Sequence, residues 1–285
     1  MMRRRIRTAL AASSLLLAVA VRAGTADSAS EPLWEVGVAT GAAWLPHYRG
    51  SDEHSLYTVP LPYVLYRGRI IEADREAVRG IFYRGLHLET DVSFAGQPPP
   101  RGRTRARDGM TGLPAFGEFG PVVQVFFDPD RPPYMPHLWI TARAVFSAHH
   151  RDWNVRHEGY RAGVWLMLGQ VRPARWPAWR FGASLGFEWM DRGLASRIYD
   201  VPDGAARADR PAYRADGGYA GASLVGHLGR TIGNRFSAGV YWRWDHVGGA
   251  AFADSPLVRT HNSVMLGASL LWTLAESERR VPARR

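Results

Sequence analysis

The sequence predicts an all-β protein, a closed antiparallel transmembrane β-barrel of about 12 strands with short periplasmic turns and long outer loops. Three observations predict it. Apolar and polar residues alternate within segments, aromatic residues lie at the ends of these segments, and long connections alternate with short ones along the chain. In Trp179–Met190 every second side chain is apolar, and the residues between are mostly small or charged. A half-buried strand explains the alternation alone, whereas a wall between lipid and a polar lumen also explains the aromatic ends.

Residues 1–26 are predicted to be a cleaved secretory signal peptide. Four arginines precede the apolar stretch Ala9–Val21, and small residues follow it around Ala23–Ala26. The alternative, a membrane anchor, needs a run of roughly 18 apolar residues, and this run is shorter. We therefore expect residues 27–285 to form a single exported domain in the outer membrane of a Gram-negative bacterium. The chain contains no cysteine, so neither a lipid anchor at cysteine nor a disulfide framework is expected.

The composition excludes a helical membrane protein. Hydrophobic residues make up 46% of the chain, and the mean hydropathy is −0.23. A barrel is compatible with these values because every second residue of its strands is polar. The formal net charge of +10 comes from arginine, since the chain has no lysine. In an exported chain this charge favours outer-membrane lipid and anionic lipopolysaccharide as partners, and no nucleic-acid partner is expected.

The alternating segments of the mature chain number about twelve, the even number that closed bacterial barrels have. Two irregularities stand out. Pro60 and Pro62 lie within one segment and should fall at a bulge or near the rim, because proline has no donor for the strand ladder. The weakest pattern belongs to a short pair of segments after Gly68. In chain order the segments are Trp34–Trp44, Leu56–Tyr66, Arg69–Asp74, Ala77–Tyr83, Leu86–Phe94, Phe116–Phe127, His137–Ala148, Gly159–Gly169, Trp179–Met190, Gly217–Gly229, Arg235–His246 and Asn262–Leu274.

The connections sort by length as an outer-membrane barrel requires. With the N-terminus in the periplasm, the odd-numbered connections are external, and all are long except Arg75–Glu76. The even-numbered connections are shorter or consist of turn residues. A secreted soluble β-sandwich, the competing class, has no reason to sort its loops in this way. The polar tail, residues 275–285, is predicted to be disordered.

Charged residues occupy the positions that the alternation turns toward the lumen. They could line a narrow path for small solutes, or they could form a paired network that fills the lumen. We favour the paired network because buried polar groups require partners in either case. The candidates are Glu72, Asp74, Arg79, His87, Glu89, Asp91, Glu118, Arg143, Arg161, Arg180, Glu188, Arg243 and Asp245.

No catalytic, cofactor-binding or metal-binding motif is recognisable, so we expect no catalytic site, no cofactor and no metal. A hydrolase at the barrel rim is the alternative, with serine, histidine and an acid or amide near the ends of strands. Its candidate residues are Ser147, His149, His150 and Asp152 on one side, and His261, Asn262 and Ser263 on the other. His149, His150 and His157 do not have the spacing of a known metal-ligand set.

Several segments resemble the MipA/OmpV family of outer-membrane proteins, and they cover essentially the whole mature chain in the right order. They are Trp44–Asp52, Pro60–Tyr63, Tyr66–Gly68, Ala77–Gly80, Ala106–Met110, Glu118–Pro121 and Ala253–Val258. The resemblance implies an outer-membrane β-barrel. For the founding member it also implies a scaffold role, between a lytic transglycosylase and a peptidoglycan synthase.

We therefore expect a non-enzymatic scaffold for envelope proteins that remodel peptidoglycan, with murein hydrolases or synthases as partners. The alternatives are a porin-like channel for small solutes and an adhesin-like barrel, which other members of the family resemble. Arginines in Pro98–Arg107 and Asp191–Asp216 could bind lipopolysaccharide phosphates, or these segments could be ordinary solvated loops.

Overall fold

The computed structural model describes residues 30–67, 71–73, 78–130, 135–148, 154–171, 173 and 175–282. The predicted signal peptide lies outside them. The described strands are β1 (Ser30–Pro32), β2 (Trp34–Pro46), β3 (His54–Arg67), β4 (Ile71–Ala73), β5 (Val78–Arg84), β6 (Leu88–Gln97), β7 (Ala115–Phe126), β8 (His137–Ala148), β9 (Val155–Val171), β10 (Trp179–Met190), β11 (Gly218–Ile232), β12 (Phe236–His246), β13 (Asn262–Glu276) and β14 (Arg280–Pro282). A helix, α1 (Arg192–Tyr199), and two 3-10 turns, Arg105–Arg107 and Asp203–Ala205, lie in the connections.

The strands from β2 to β13 form an antiparallel closed barrel. Each pairs with the next along the chain, and β13 pairs with β2 to complete the ring. The predicted all-β antiparallel architecture is confirmed, and each predicted segment overlaps one of these strands. Among the described residues no helix is long and apolar enough to cross a membrane.

The outer face of the wall is apolar and is bordered by aromatic side chains. Trp34 and Trp44 lie near opposite ends of β2 and are both exposed on the outside. The strand between them rises about 25 Å after allowance for tilt, which is the height of the apolar band of outer-membrane barrels. Aromatic rings stack across strands at both borders, Phe236 on Trp272 at one and Trp44 on His54 at the other.

The sequence predicted that Pro60 and Pro62 lie at a bulge or near the rim, and this prediction is wrong. They lie within β3, opposite Thr40 and Val38 of β2, and the register of this pair is continuous. Among the described residues, β4 pairs with β3 at Tyr66 and Arg67. Pro60 and Pro62 therefore have no described partner strand on that side of β3, and proline is tolerated at such an edge.

The tail is more ordered than predicted. β13 continues to Glu276, and β14 pairs with β1. The N–H of Leu33 donates to the carbonyl of Arg279 at 2.8 Å, and that of Ser277 donates to the carbonyl of Trp34 at 2.9 Å. Backbone pairing with residues 30–34 thus orders a tail whose polar composition had predicted disorder. Residues 283–285 lie outside the described part.

Candidate functional site

Charged side chains point from the barrel wall into the lumen, where the structure buries them. In β10, Arg180 and Glu188 are buried, whereas Phe181 and Phe187 on the opposite face are exposed. The predicted lumen residues that the structure describes on this inner face are Glu89, Asp91, Glu118, Arg143, Arg161, Arg180, Glu188, Arg243 and Asp245. Asp245 has 0% of its surface exposed, whereas the side chains of Arg143, Arg161 and Arg243 keep 16–18% of theirs, so the acid is buried more deeply than the arginines around it.

The centre of the lumen is a set of ion pairs around Glu188 and Asp245. One carboxylate oxygen of Glu188, Oε2, accepts hydrogen bonds from Arg49 Nη1 at 2.6 Å and from Arg243 Nη2 at 2.8 Å. Oδ1 of Asp245 accepts from Ser223 Oγ at 2.5 Å and from Arg243 Nε at 2.9 Å. Arg49 Nη2 lies 3.2 Å from the same Oδ1 atom. Two arginines therefore bridge the two acids.

A second group of ion pairs lies on the neighbouring strands β7, β8 and β9. Arg161 Nε is 3.3 Å from Oε1 of Glu118, and Arg143 Nη1 is 4.0 Å from Oε2 of the same carboxylate. Arg143 Nε donates to Ser93 Oγ at 2.8 Å. Arg161 also interacts electrostatically with Glu188, which connects the two groups. Together they form what we call the charge ring: Arg49, Glu118, Arg143, Arg161, Glu188, Arg243 and Asp245.

Other predicted lumen residues form separate pairs. Gln124 Nε2 donates to Asp91 Oδ2 at 2.6 Å, Arg84 Nε donates to Glu89 Oε2 at 2.6 Å, and Arg180 Nη2 donates to the hydroxyl of Thr231 at 2.7 Å. These bonds supply partners to polar groups that would otherwise be costly to bury.

The structure corrects one lumen residue and leaves three outside its description. His87 was expected to face the lumen from a strand, but it precedes β6, is exposed, and bonds through Nδ1 to the carbonyl of Phe126. The turn between β5 and β6 occupies the positions that the alternation had assigned to a strand. Asp74 and the side chains of Glu72 and Arg79 lie outside the described residues.

Arg49 is the member of the charge ring that sequence reasoning missed. It follows β2 in a loop, so the alternation within strands does not identify it. The one sequence feature that could have indicated it is its place in the family-like segment Trp44–Asp52. The next residue, Gly50, has a φ of 87°, a left-handed conformation that favours glycine. The hydroxyl of Tyr199 donates to the carbonyl of Arg49 at 2.9 Å. Backbone geometry and this hydrogen bond together direct the guanidinium into the lumen.

Four connections pack together over the same end of the barrel, and we call them the cap: residues 47–53, 98–114, 191–217 and 247–261. Their core is apolar, with Leu194 and Phe252 each 0% exposed. The rings of Tyr199 and Phe252 stack with centroids 3.8 Å apart, and the hydroxyl of Tyr48 donates to the carbonyl of Leu257 at 2.7 Å. Burial raises the pKa of both tyrosines, so their hydroxyls stay protonated donors.

Two buried arginines bind backbone carbonyls within the cap. Arg107 donates to the carbonyls of Ile198, near the C-terminus of α1, and Thr111. A cation at this position also complements the helix dipole. Burial lowers the pKa of Arg107 to about 10. Arg210 donates to the carbonyls of Ala106 and Asp108 at 3.0 and 2.9 Å. The long loops are thus fastened to one another as a folded unit.

The structure does not bring together the residues of the hydrolase alternative that it describes. The Ser147 hydroxyl donates to Oε1 of Glu158 at 2.5 Å, so a carboxylate occupies the place that a histidine would need. Ser263 has a buried hydroxyl without a hydrogen-bond partner, and His261 is exposed. His149, His150 and Asp152 lie outside the described residues. Within the described ranges, no group of three or more histidine or acidic side chains could hold a metal ion.

The chain is similar to solved structures and to one protein family. The crystal structure of an outer membrane channel from Pseudomonas putida F1 is similar to the chain at 11% sequence identity and a TM-score of 0.36, covering 90% of this chain and 100% of the other. No curated protein matches the chain. The model of the MipA family, described as MltA-interacting protein MipA, matches residues 37–274. The match runs from within β2 to within β13 and so spans nearly all of the barrel. The chain therefore belongs to the MipA family.

Proposed function

We propose that this outer-membrane β-barrel is a non-enzymatic scaffold that holds peptidoglycan-remodelling proteins at the inner face of the outer membrane. The observation that carries the proposal is that Arg49 of the cap reaches the charge ring and pairs with Glu188 at 2.6 Å. A loop held across the mouth of the lumen in this way favours the scaffold over the porin-like alternative. The family description, MltA-interacting protein, supports a murein enzyme as the partner.

The proposed orientation places the chain termini and the short turns in the periplasm and the cap outside the cell. Exported β-barrels have short periplasmic turns and long external loops. The ends of β2 and β13 that bear Trp34 and Trp272 would then face the periplasm, after removal of the signal peptide. Exposed arginines of the cap, such as Arg103 and Arg105, would lie near lipopolysaccharide phosphates, although each also has a carboxylate partner in the cap.

The periplasmic turns offer exposed aromatic side chains to a partner. Trp176, between β9 and β10, is 60% exposed, and Phe127, between β7 and β8, is 55% exposed. These two turns are neighbours, because β8 pairs with β9. Large aromatic side chains are frequent anchors of protein interfaces, so we assign the partner contact to this pair of turns.

Co-purification tests the proposal. The full chain is crosslinked in intact envelopes and extracted with detergent, and we expect a murein hydrolase or synthase in the crosslinked fraction. Trp176→Ala with Phe127→Ala should reduce its recovery about tenfold, the effect of losing about 1.4 kcal/mol of binding. Arg103→Ala, at the opposite end of the barrel, is the control and should leave recovery unchanged. Absence of murein enzymes from wild-type crosslinks would overturn the proposal.

A further inference from the structure

Two arginines of the charge ring lie side by side on neighbouring strands. Arg143 of β8 and Arg161 of β9 are directly opposite each other in the register of the two strands, and we call them the arginine pair. Side chains at opposite positions of an antiparallel pair lie on one face of the sheet with Cβ atoms about 5 Å apart, and like charges at such positions repel each other. Both side chains approach one carboxylate, that of Glu118. The barrel therefore holds two cations together with a single acid between them.

The surplus positive charge of the ring is located at this pair. On the other side of the ring two arginines contact two acids, so their charges balance: Arg49, Arg243, Glu188 and Asp245. The arginine pair has only Glu118 at ion-pair distance. Arg161 also interacts electrostatically with Glu188, but that carboxylate already accepts hydrogen bonds from the other two arginines. One positive charge of the arginine pair is thus left without a matching acid in the ring.

Most N–H donors of the arginine pair have no acceptor within the described part of the chain. A guanidinium carries five donors, and the one hydrogen bond that these two groups donate to described residues runs from Arg143 Nε to Ser93 Oγ at 2.8 Å. Arg161 Nε lies 3.3 Å from Glu118 Oε1 but is buried without a hydrogen-bond partner, so its N–H does not point at that oxygen. Arg143 Nη1 is 4.0 Å from Glu118 Oε2, which is too far for a hydrogen bond. The terminal nitrogens of both groups are therefore unused.

The arginine pair also borders open space in the lumen. Arg143 and Arg161 keep 18% and 16% of their side-chain surface exposed, whereas the balanced acid Asp245 keeps 0%. Water can satisfy the unused donors, but it cannot balance the surplus charge. An oxyanion does both, because two oxygens of a carboxylate or phosphate accept parallel N–H bonds from the planar fork of a guanidinium.

We propose that the arginine pair binds one oxyanion, the carboxylate or phosphate group of a small solute, which accepts hydrogen bonds from terminal nitrogens of both guanidinium groups. A carboxylate in this place balances the one surplus cation of the ring. It also removes the repulsion between the two opposite arginines, since each then contacts a negative group of its own. The site does not depend on the scaffold role proposed above, and either can fail without the other.

Calorimetric titration of the full chain in detergent tests the site. The protein is kept in low-salt buffer at neutral pH and receives sodium phosphate, sodium acetate or sodium chloride at matched ionic strength. We expect saturable heat for one site per chain with phosphate, with acetate or with both, and the tighter binder identifies the preferred group. Absence of saturable heat with both oxyanions would overturn the proposal. Heats that chloride reproduces would overturn it as well, since they would reflect charge screening alone.

Matched variants distinguish a site at the arginine pair from a general effect of positive charge in the lumen. Arg161→Gln removes one fork and should weaken oxyanion binding about tenfold, equivalent to about 1.4 kcal/mol. Arg180→Gln removes a different lumen cation, which donates to Thr231, and should leave the affinity unchanged. The heat-dependent gel shift of folded barrels verifies folding, and Arg143→Gln replaces Arg161→Gln if the latter does not fold. Equal affinities of the wild type and the folded variant would contradict the site, and so would a control that loses as much affinity as the variant.

Discussion

At the scale of single residues, Arg49 determines how the cap and the barrel are joined. Its side chain is buried together with those of Glu188 and Asp245, and Arg243 is the other cation that contacts both acids. Buried ion pairs contribute little net stability compared with apolar packing, but removing one partner is costly because the other charge is left unpaired. The arginine therefore fixes where the loop lies more than it stabilises the barrel as such.

Arg49→Met should destabilise the folded protein by about 3 kcal/mol, the cost of leaving buried acids with one fewer cation. We expect a lower midpoint in urea unfolding of the detergent-solubilised protein, followed by tryptophan fluorescence. Arg103→Met, at an exposed pair with Asp108, is the control and should leave the midpoint unchanged. Equal midpoints for wild type and Arg49→Met would show that the charge ring does not depend on the loop.

His47 links the cap to a strand and makes their contact sensitive to pH. Its Nε2 bonds to Ser55 Oγ at 2.9 Å and its Nδ1 bonds to Thr104 Oγ1 at 2.8 Å. Ser55 gives its proton to the carbonyl of Arg101, so Nε2 must be the donor and Nδ1 accepts from Thr104. Burial lowers the pKa of His47 below its ordinary value of 6.5, despite the opposing effect of Glu53.

Because the folded state binds this proton less tightly than the unfolded state, the stabilisation is present above pH 6.5 and is lost as the pH falls. We expect faster hydrogen exchange in residues 98–107 at about pH 5 than at about pH 7.5, after correction for intrinsic rates. His47→Gln retains a polar side chain without a titrating group and should remove the difference. A difference that persists in His47→Gln would assign the effect to another group.

At the scale of elements, the sequence indicated the strands well because each strand separates an apolar outer surface from a polar interior. That separation imposes a period of two, as in Trp179–Met190, and the period is readable without tertiary information. The cap was not predictable in this way. Its core arises from contacts between distant loops, such as Tyr199 with Phe252, and loops carry no periodic pattern. Arg49 and the tail strand β14 were missed for the same reason.

The prolines of β3 give a prediction about an element rather than a site. Pro60→Thr with Pro62→Thr would restore two N–H donors to the edge of β3 that has no described partner strand, while keeping residues suited to strands. We expect the double variant to remain folded but to form dimers through β3, detected by crosslinking in detergent and by light scattering. Thr40→Val, on the neighbouring strand β2, alters no donor on this edge and should stay as monomeric as wild type. A double variant that does not associate would mean that another part of the chain protects the edge.

At the scale of the whole molecule, the distribution of charge separates three regions. The outer wall is apolar, the charge ring contains four arginines and three acids within the lumen, and the cap holds further arginines that bind carbonyls or surface acids. The excess of one cation in the ring gives the lumen at this level a positive field. The arginines that give the chain its net positive charge thus pair with groups inside the lumen and the cap at least as much as they are available to bind an external polyanion.

The position of the cap predicts the electrical behaviour of the protein. In planar bilayers the wild-type barrel should give no steady conductance, because the cap lies over the lumen and Arg49 ties it to Glu188 of the wall. Replacing residues 192–216 by a short Gly-Ser turn, together with Arg49→Ala, removes α1 and the inserted guanidinium. We expect this variant to conduct and, because Arg143, Arg161 and Arg243 then face Glu118, Glu188 and Asp245 without a fourth cation, to show weak selectivity between anions and cations. Arg161→Gln in the same background should shift the reversal potential toward cation preference. Conductance steps from the wild-type protein would instead identify it as an open channel and would remove the observation that supports the scaffold.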